Sequence, residues 1–296
     1  MSVFKSGFVV ICGRPNVGKS TLMNKMIGQK IAIVSPKPQT TRNTIRGILT
    51  GDDFQIVFLD TPGIHKPKSK LNEYMAKSQK EANSGADVIV IMLDATEPLG
   101  RTDIFILESY KNYKTPIIVL VNKIDLIDND ALYNFLASLS QFTYPYAVIP
   151  ISAEKEIGVE VLQENLLELL PQGPKYFPDD MVCDFPERFL ASELIREKAL
   201  ILLNQEIPHG IGVNITKMEE NEGRKLLIQA DVFCERDSHK GIIIGKGGSM
   251  LRQIGEAARI ELQELLETEI YLELYVKVKE NWRNSGAALK ELGYHD

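Results

Sequence analysis

Between residues 8 and 170, short apolar runs alternate with longer segments in which apolar positions recur every three or four residues. The runs at 8–12, 55–59, 88–93, 117–121 and 147–151 are apolar almost throughout, as in strands covered on both faces. The segments at 21–27, 71–84, 103–113, 131–140 and 159–170 have helical spacing. A further strand is predicted at 44–50, with Gly51-Asp52-Asp53 turning into the run at 55–59. This alternation predicts an α/β domain with a mostly parallel sheet over 1–170. Pro171, Pro174, Pro178 and Pro186 can continue neither a helix nor a central strand, so 171–187 reads as a linker. A second rhythm follows: a helix at 188–203, strands at 212–218 and 225–234, a short helix at 238–244, a glycine break, a helix at 249–266 and a strand at 271–279. This predicts an α+β module over 188–280 with a tail at 281–296.

With 44% apolar and 25% charged residues among 296, the composition is that of a globular protein and excludes a disordered or collagen-like chain. No stretch approaches the roughly 20 apolar residues of a membrane-spanning helix, and 1–6 are not followed by a signal-peptide core, so a cytoplasmic location is expected. Cys12, Cys183 and Cys234 are too few and too widely spaced for a disulfide framework or a zinc cluster, and read as packed apolar residues. The net charge of −6 divides into about −1 over 1–180 and about −5 over 181–296. That excludes a generally basic nucleic-acid binder but leaves room for a local basic groove.

Gly13-Arg14-Pro15-Asn16-Val17-Gly18-Lys19-Ser20 lies between a predicted strand and a predicted helix, the context that makes G-x-x-x-x-G-K-[ST] a phosphate loop. Its backbone N–H groups and the helix start, including Thr21, can wrap phosphates; Lys19 reaches the β- and γ-phosphates and the Ser20 hydroxyl suits Mg²⁺. Asp60-Thr61-Pro62-Gly63 ends the next run, placing a carboxylate for Mg²⁺ and a glycine N–H for the γ-phosphate. In Asn122-Lys123-Ile124-Asp125, the Asp125 carboxylate can accept two hydrogen bonds from guanine, which adenine cannot offer. The backbone of Ser152-Ala153-Glu154 is placed to meet the guanine O6. Taken singly, each of the last three is also an ordinary turn or helix start.

Together they resemble the G1, G3, G4 and G5 motifs of the translation-factor-class GTPases, across essentially all of 7–170. The resemblance implies GTP/GDP binding with Mg²⁺, and a switch I threonine within Gln39-Thr40-Thr41-Arg42, with Thr41 ahead of Thr40. Lys19, Thr41 and Gly63 are the expected catalytic set. Where many small GTPases carry a water-orienting glutamine after D-x-x-G, this chain has Ile64, as in the TrmE-Era subgroup, so intrinsic turnover is expected to be slow. Asn16 is open to two readings, loop geometry or a K⁺ ligand. Arg14 and Arg42 are either electrostatic helpers or solvated.

Gly245-Lys246-Gly247-Gly248 joins two predicted helices, and a loop free of bulky side chains admits a phosphodiester backbone. Ile242, Ile243 and Ile244 before the loop and Leu251, Ile254 and Ile260 after it can wall a groove for bases, with Lys240, Lys246, Arg252 and Arg259 supplying charge against Glu256 alone. The element order resembles a type II KH domain. A Ras-like domain with Ile64 followed by such a module resembles the Era family, the KH-containing GTPases of bacterial small-subunit assembly. The resemblance implies binding near the 3′ end of 16S rRNA on the 30S subunit, single-stranded RNA held by the KH module, a monomer, and peripheral association with the inner membrane. The rival expectation is a GTP-gated protein or membrane-surface switch whose KH fold binds no RNA.

Overall fold

The structure, a computed structural model, describes residues 4–35, 37, 40–63, 69–203, 207–221 and 225–294. The first half runs β1 (Lys5–Gly13), α1 (Lys19–Ile27), β2 (Ile45–Thr50), β3 (Phe54–Asp60), α2 (Lys70–Ser84), β4 (Val88–Asp94), α3 (Arg101–Tyr110), β5 (Ile117–Asn122), α4 (Asn129–Leu139), β6 (Ala147–Pro150) and α5 (Val159–Leu169). The second runs α6 (Glu187–Leu202), β7 (Gly212–Asn221), β8 (Lys225–Cys234), α7 (Asp237–Ile244), α8 (Ser249–Leu266), β9 (Ile270–Val278) and α9 (Gly286–Glu291). The chain divides into two compact units, one of 1–32, 41–65 and 76–184, the other of 33–40, 66–75 and 185–296.

The amino-terminal unit is built on a sheet of order β2-β3-β1-β4-β5-β6, parallel except for β2. Val10 and Cys12 of β1, Val57 and Leu59 of β3, Ile89 and Ile91 of β4, and Val119 and Val121 of β5 share one core. They pack with Ile106, Leu107 and Tyr110 of α3 and Phe135 and Leu139 of α4. Each such buried side chain contributes about 1.5–3 kcal/mol, and a one-residue slip of any strand would turn its set away from the helices. Burial also pushes the Cys12 thiol up to about 11, so it behaves as a small apolar residue. β1 and β4 are neighbours, and the connections from their carboxyl ends run to opposite sides, from β1 to β2 and from β4 to β5. That opens the crevice in which ligands of parallel sheets bind.

The stretch read as a linker does not hang free. Buried Gln55 holds it: the side-chain oxygen accepts from the Tyr176 and Phe177 amides at 2.8 and 3.0 Å, and the side-chain nitrogen donates to the Phe177 carbonyl. Ser6 binds the Pro171 and Pro174 carbonyls. Ile48 of β2 donates to the Val182 carbonyl, which covers part of the sheet edge. Proline removes a donor but leaves its carbonyl, so such a segment is excluded from regular structure but not from docking.

The carboxy-terminal unit has the predicted helix-strand-strand-helix-helix-strand order. Its sheet, β7-β8-β9, pairs antiparallel and then parallel. Its core joins Leu194, Ile195 and Ala199 of α6 and Ile243 of α7 with Ile254, Ala258 and Leu262 of α8 over Ile228, Ala230 and Val232 of β8. The segment expected as a tail is part of this fold. Trp282 is fully buried, donates to the Gly210 carbonyl at 2.8 Å, and packs with Leu71, Met75, Leu289, Leu292 and Tyr294. A helix of six residues is too short to show a periodicity, which is why the segment read as a tail.

Among the described residues, no helix is long and apolar enough to cross a membrane. Replacing the only tryptophan, Trp282→Ala, should destabilise the carboxy-terminal unit by about 3–5 kcal/mol. Urea unfolding followed by circular dichroism measures this, and an unshifted transition would show that 281–294 is not part of the folded unit.

Candidate functional site

The phosphate loop leaves β1 and enters α1 at Lys19. Gly18 adopts a left-handed φ of 107°, and a Cβ there would fall 2.3 Å from the Asn122 side-chain nitrogen, so only glycine fits. Lys19 is 6% exposed and its ammonium donates to the Arg14 carbonyl at 3.0 Å. Burial lowers its pKa, opposed by the nearby Asp60 charge. An ammonium held this way sits at a glycine-rich loop and helix start, the kind of site that binds phosphate.

At the end of β3, Asp60 is fully buried. One carboxylate oxygen accepts from Ser20 Oγ at 2.6 Å and from Thr41 Oγ1 at 3.1 Å, and the two hydroxyls lie 3.1 Å apart. The other oxygen is buried with no hydrogen-bond partner among the described residues. Burial raises the Asp60 pKa, partly offset by Lys19, Ser20 and Thr41. Three converging hard oxygen donors, with one orphaned carboxylate oxygen, fit Mg²⁺. Of the two switch I threonines left open, Thr41 is in this cluster; the Thr40 hydroxyl donates to the Lys37 carbonyl at 2.6 Å. Gly63 brings the D-x-x-G loop against the phosphate loop, where a Cβ would fall 2.9 Å from Pro15. The Thr61 hydroxyl donates to the Ile11 carbonyl, so its side chain fixes the loop to β1 rather than facing a ligand, and Pro62 beside it is buried.

Asn122 is the hub of the base end. Its side-chain nitrogen donates to the Val17 carbonyl at 2.7 Å and its oxygen accepts from the Ala153 amide at 2.9 Å. One 2%-exposed amide thus ties the phosphate loop, the N-K-I-D turn and the S-A-E turn together. Ser152 is fully buried and its Oγ accepts from the Lys155 amide, capping that turn. Asp125 is exposed at the rim of the N-K-I-D turn, its carboxylate free of any protein partner among the described residues. Lys123 sits in the left-handed region, its ammonium 2.5 Å from Asp94 of β4. Burial alone would raise the Asp94 pKa, but hydrogen bonds from Lys123 and Thr96 outweigh it and hold the carboxylate below its ordinary range.

The Arg14 side chain turns away from this set. It pairs with Asp103 at 2.7 Å and Glu97 at 3.2 Å, so it anchors the phosphate loop to α3 and is not the solvated or phosphate-directed arginine expected. Asn16 is exposed with φ 65°, and Arg42 is fully buried. Ile64 and Gln39 lie outside the described residues. Asp94 and Asp103 were missed. For Asp94 a signal existed, an acid at a strand end followed two residues later by a threonine; Asp103 looks like any first-turn helix acid.

In the carboxy-terminal unit, Gly245, Lys246, Gly247 and Gly248 connect α7 to α8, and Gly247 has a φ of 60° with open space where a Cβ would point. Beside this loop lies a groove of about 530 Å³. Leu251 and Gly255 of α8 and Leu272 and Leu274 of β9 supply apolar walls, and Arg252 and Arg259 line it with one acid, Glu256. Arg259 is bonded to Gln263. An apolar floor with a cationic rim and a bare loop at one end is the arrangement for bases beside a phosphodiester backbone. The predicted walls divide: Leu251 lines the groove, Ile243 and Ile254 are in the core with Ile244 packed against it, Ile242 and Ile260 are exposed, and the groove's other walls, Leu272 and Leu274, come from β9. Nothing in a strand's local pattern says which of its residues will face a groove.

A family profile described as "50S ribosome-binding GTPase" matches residues 8–123, and one described as "KH domain" matches 206–283. The chain is 51% identical over 291 residues to the GTPase Era of Ruminiclostridium cellulolyticum, covering 98% of both chains. It is equally identical over 294 residues to that of Clostridium tetani, covering 99% of both. The chain belongs to the Era family of GTPases. Among solved structures it is similar to Era in complex with MgGDPNP and nucleotides 1506–1542 of 16S ribosomal RNA, at 39% identity and a TM-score of 0.94, covering 99% of this chain and all of that one. It is equally similar in fold (TM-score 0.94, 38% identity) to a point variant of Aquifex aeolicus Era bound to GDP·AlF4⁻.

As an Era-family GTPase, the protein uses GTP/GDP and Mg²⁺. Asp125→Asn should reverse the base preference: GDP should compete for the site about 100-fold less well, and xanthosine diphosphate should gain what GDP loses. Unchanged GDP competition would remove Asp125 from the base site.

Proposed function

We propose that this protein is a GTP-operated switch that binds the 3′-end region of small-subunit ribosomal RNA and acts in assembly of the 30S subunit. One observation carries the reading: the groove beside the G-K-G-G loop shares a chain with a guanine-nucleotide site, and a structural relative of that build is solved with both MgGDPNP and a 16S rRNA segment. The functional division follows the sequence, a G domain over 1–170 and a KH domain over 188–280.

Each residue has a role in this reading. The phosphate-loop amides from Gly13 to Thr21, with the Lys19 ammonium, hold the phosphates and the charge that builds on the transferring group. Ser20, Thr41 and Asp60 hold Mg²⁺, which supplies further neutralisation of that charge. The Gly63 N–H faces the γ-phosphate. Asp125 reads the guanine edge, Lys123 is steadied over the base by Asp94, and the Ala153 backbone borders O6. Gly245–Gly248 admits the RNA backbone, with Lys246 and Arg252 on its phosphates. Asn16 is taken as a K⁺ ligand that takes the place of an arginine finger.

The protein acts as a monomer in the cytoplasm. Peripheral association with the inner membrane would have to overcome a net charge of −6 facing an anionic leaflet.

Two measurements test the proposal. Gly247→Asp puts a carboxylate in open space at a φ that aspartate tolerates for about 1–2 kcal/mol, so the fold is retained. Filter binding of a single-stranded 3′-terminal rRNA oligonucleotide should weaken about tenfold or more. Retention equal to wild type would favour a protein- or membrane-directed switch instead. Intrinsic GTP turnover should stay below about 1 s⁻¹ and run faster in K⁺ than in Na⁺ at equal ionic strength; equal rates would assign Asn16 to loop geometry alone.

A further inference from the structure

The phosphate loop has a backbone that needs holding. Gly18 lies at a φ of 107°, and Asn16, two residues earlier, lies at 65° without being glycine. Such a turn persists where its surroundings over-determine it. One grip on it is Asn122, which binds the Val17 carbonyl. Another is at the loop's beginning, and it comes from α3. Asp103, in the first turn of that helix, is 2% exposed. One of its oxygens accepts from the Gly100 amide at 3.0 Å, which caps the helix. The other is 2.7 Å from Arg14 Nε. Behind it, Ile106, Leu107 and Tyr110 seat α3 in the core of the amino-terminal unit. Burial, cap and helix together leave this carboxylate little freedom.

Glu97, the second acid on Arg14, is of another kind. Its side chain is 64% exposed and 3.2 Å away, and exposed pairs contribute little. Arg14 is also held at its backbone, where its carbonyl accepts from the Lys19 ammonium. Lys19 is buried, so this acceptor decides where its charge points. Pro15, the next residue, is what the D-x-x-G loop rests on, since a Cβ on Gly63 would fall 2.9 Å from its ring. A displacement of Arg14 would therefore reach both Lys19 and Gly63. Every residue in this chain of contacts belongs to the amino-terminal unit.

We propose that Asp103 is a positioning residue for GTP hydrolysis: it fixes Arg14, and through the Arg14 carbonyl it sets the Lys19 ammonium where the phosphates bind. The proposal rests on the reading of Lys19 as the phosphate lysine. Charge that grows on the transferring group is stabilised by groups already in place, and that stabilisation is steeply sensitive to where they stand. Asp103 acts through Arg14 and not on the nucleotide. Its negative charge by itself would disfavour a polyanion, so removing the charge alone would strengthen nucleotide binding. A loss of hydrolysis on neutralising Asp103 has the opposite sense and reports the tie.

The test is single-turnover hydrolysis of GTP by an excess of the full chain with Mg²⁺, with the unfolding temperature measured alongside. Asp103→Asn keeps an oxygen for the Gly100 amide and removes the charge that holds Arg14. Its rate should fall about tenfold. Arg14→Gln should fall by about the same factor, and the double variant by no more than either single, because both changes cut one tie. Glu97→Gln should stay within about twofold of wild type; a fall as large as that of Asp103→Asn would overturn the assignment to Asp103. A merely structural tie lowers the unfolding temperature and leaves the rate of the folded protein at wild type. That result, or a double variant slower by the product of the two singles, about a hundredfold, would overturn the proposal. Lys19→Met separates the two failures. If it stops hydrolysis while Asp103→Asn does not slow it, the positioning role alone is wrong; if it has no effect, the reading of Lys19 falls and the proposal with it.

Discussion

A carboxylate with one oxygen satisfied and the other not is the constraint around which the amino-terminal unit is arranged. Asp60 is buried at the end of β3, where Ser20 and Thr41 share one of its oxygens and no described residue meets the other. An uncompensated buried acceptor is unfavourable by about 1–3 kcal/mol, and a cation resolves it. The three residues come from three places in the sequence. They meet because β1 lies between β3 and β4, so that the loops after β1 and β3 open on the same crevice.

The base end depends on a different device. Asn122 acts as donor and acceptor at once, so the phosphate loop and the N-K-I-D and S-A-E turns are fixed relative to one another before any ligand arrives. That is preorganisation in the strict sense: little remains to be ordered on binding. The carboxy-terminal unit presents its groove more openly, with a bare glycine loop and a few cations against an otherwise acidic background. A local positive rim on a negative chain discourages indiscriminate duplex binding, where phosphate neutralisation dominates, and favours a strand that can place bases between Leu251, Leu272 and Leu274.

Much of this could be read from the chain. Fully apolar runs identified the parallel strands because such runs are stable only when covered on both faces, and the phosphate loop, D-T-P-G, N-K-I-D and S-A-E were legible because each follows a strand. What could not be read depends on partners distant in sequence. Arg14 looks like a phosphate-loop cation until Asp103 is seen beside it. The proline-rich segment looks like a tether until Gln55 is found holding its backbone. Residues 281–294 carry no periodicity, yet Trp282 fills a core. Ile33 lies between motifs of one unit in sequence, yet packs in the core of the other. Local pattern reports which faces are apolar; it does not report what a given polar side chain or backbone carbonyl will meet.

The central claim is that the nucleotide at one end of the chain governs the grip on RNA at the other. Its most direct test is calorimetric titration of a 3′-terminal small-subunit rRNA oligonucleotide into the protein loaded with GDP and, separately, with a non-hydrolysable GTP analogue and Mg²⁺. The account predicts binding at least about fivefold tighter in the triphosphate-loaded form. Identical affinity in the two forms would contradict it.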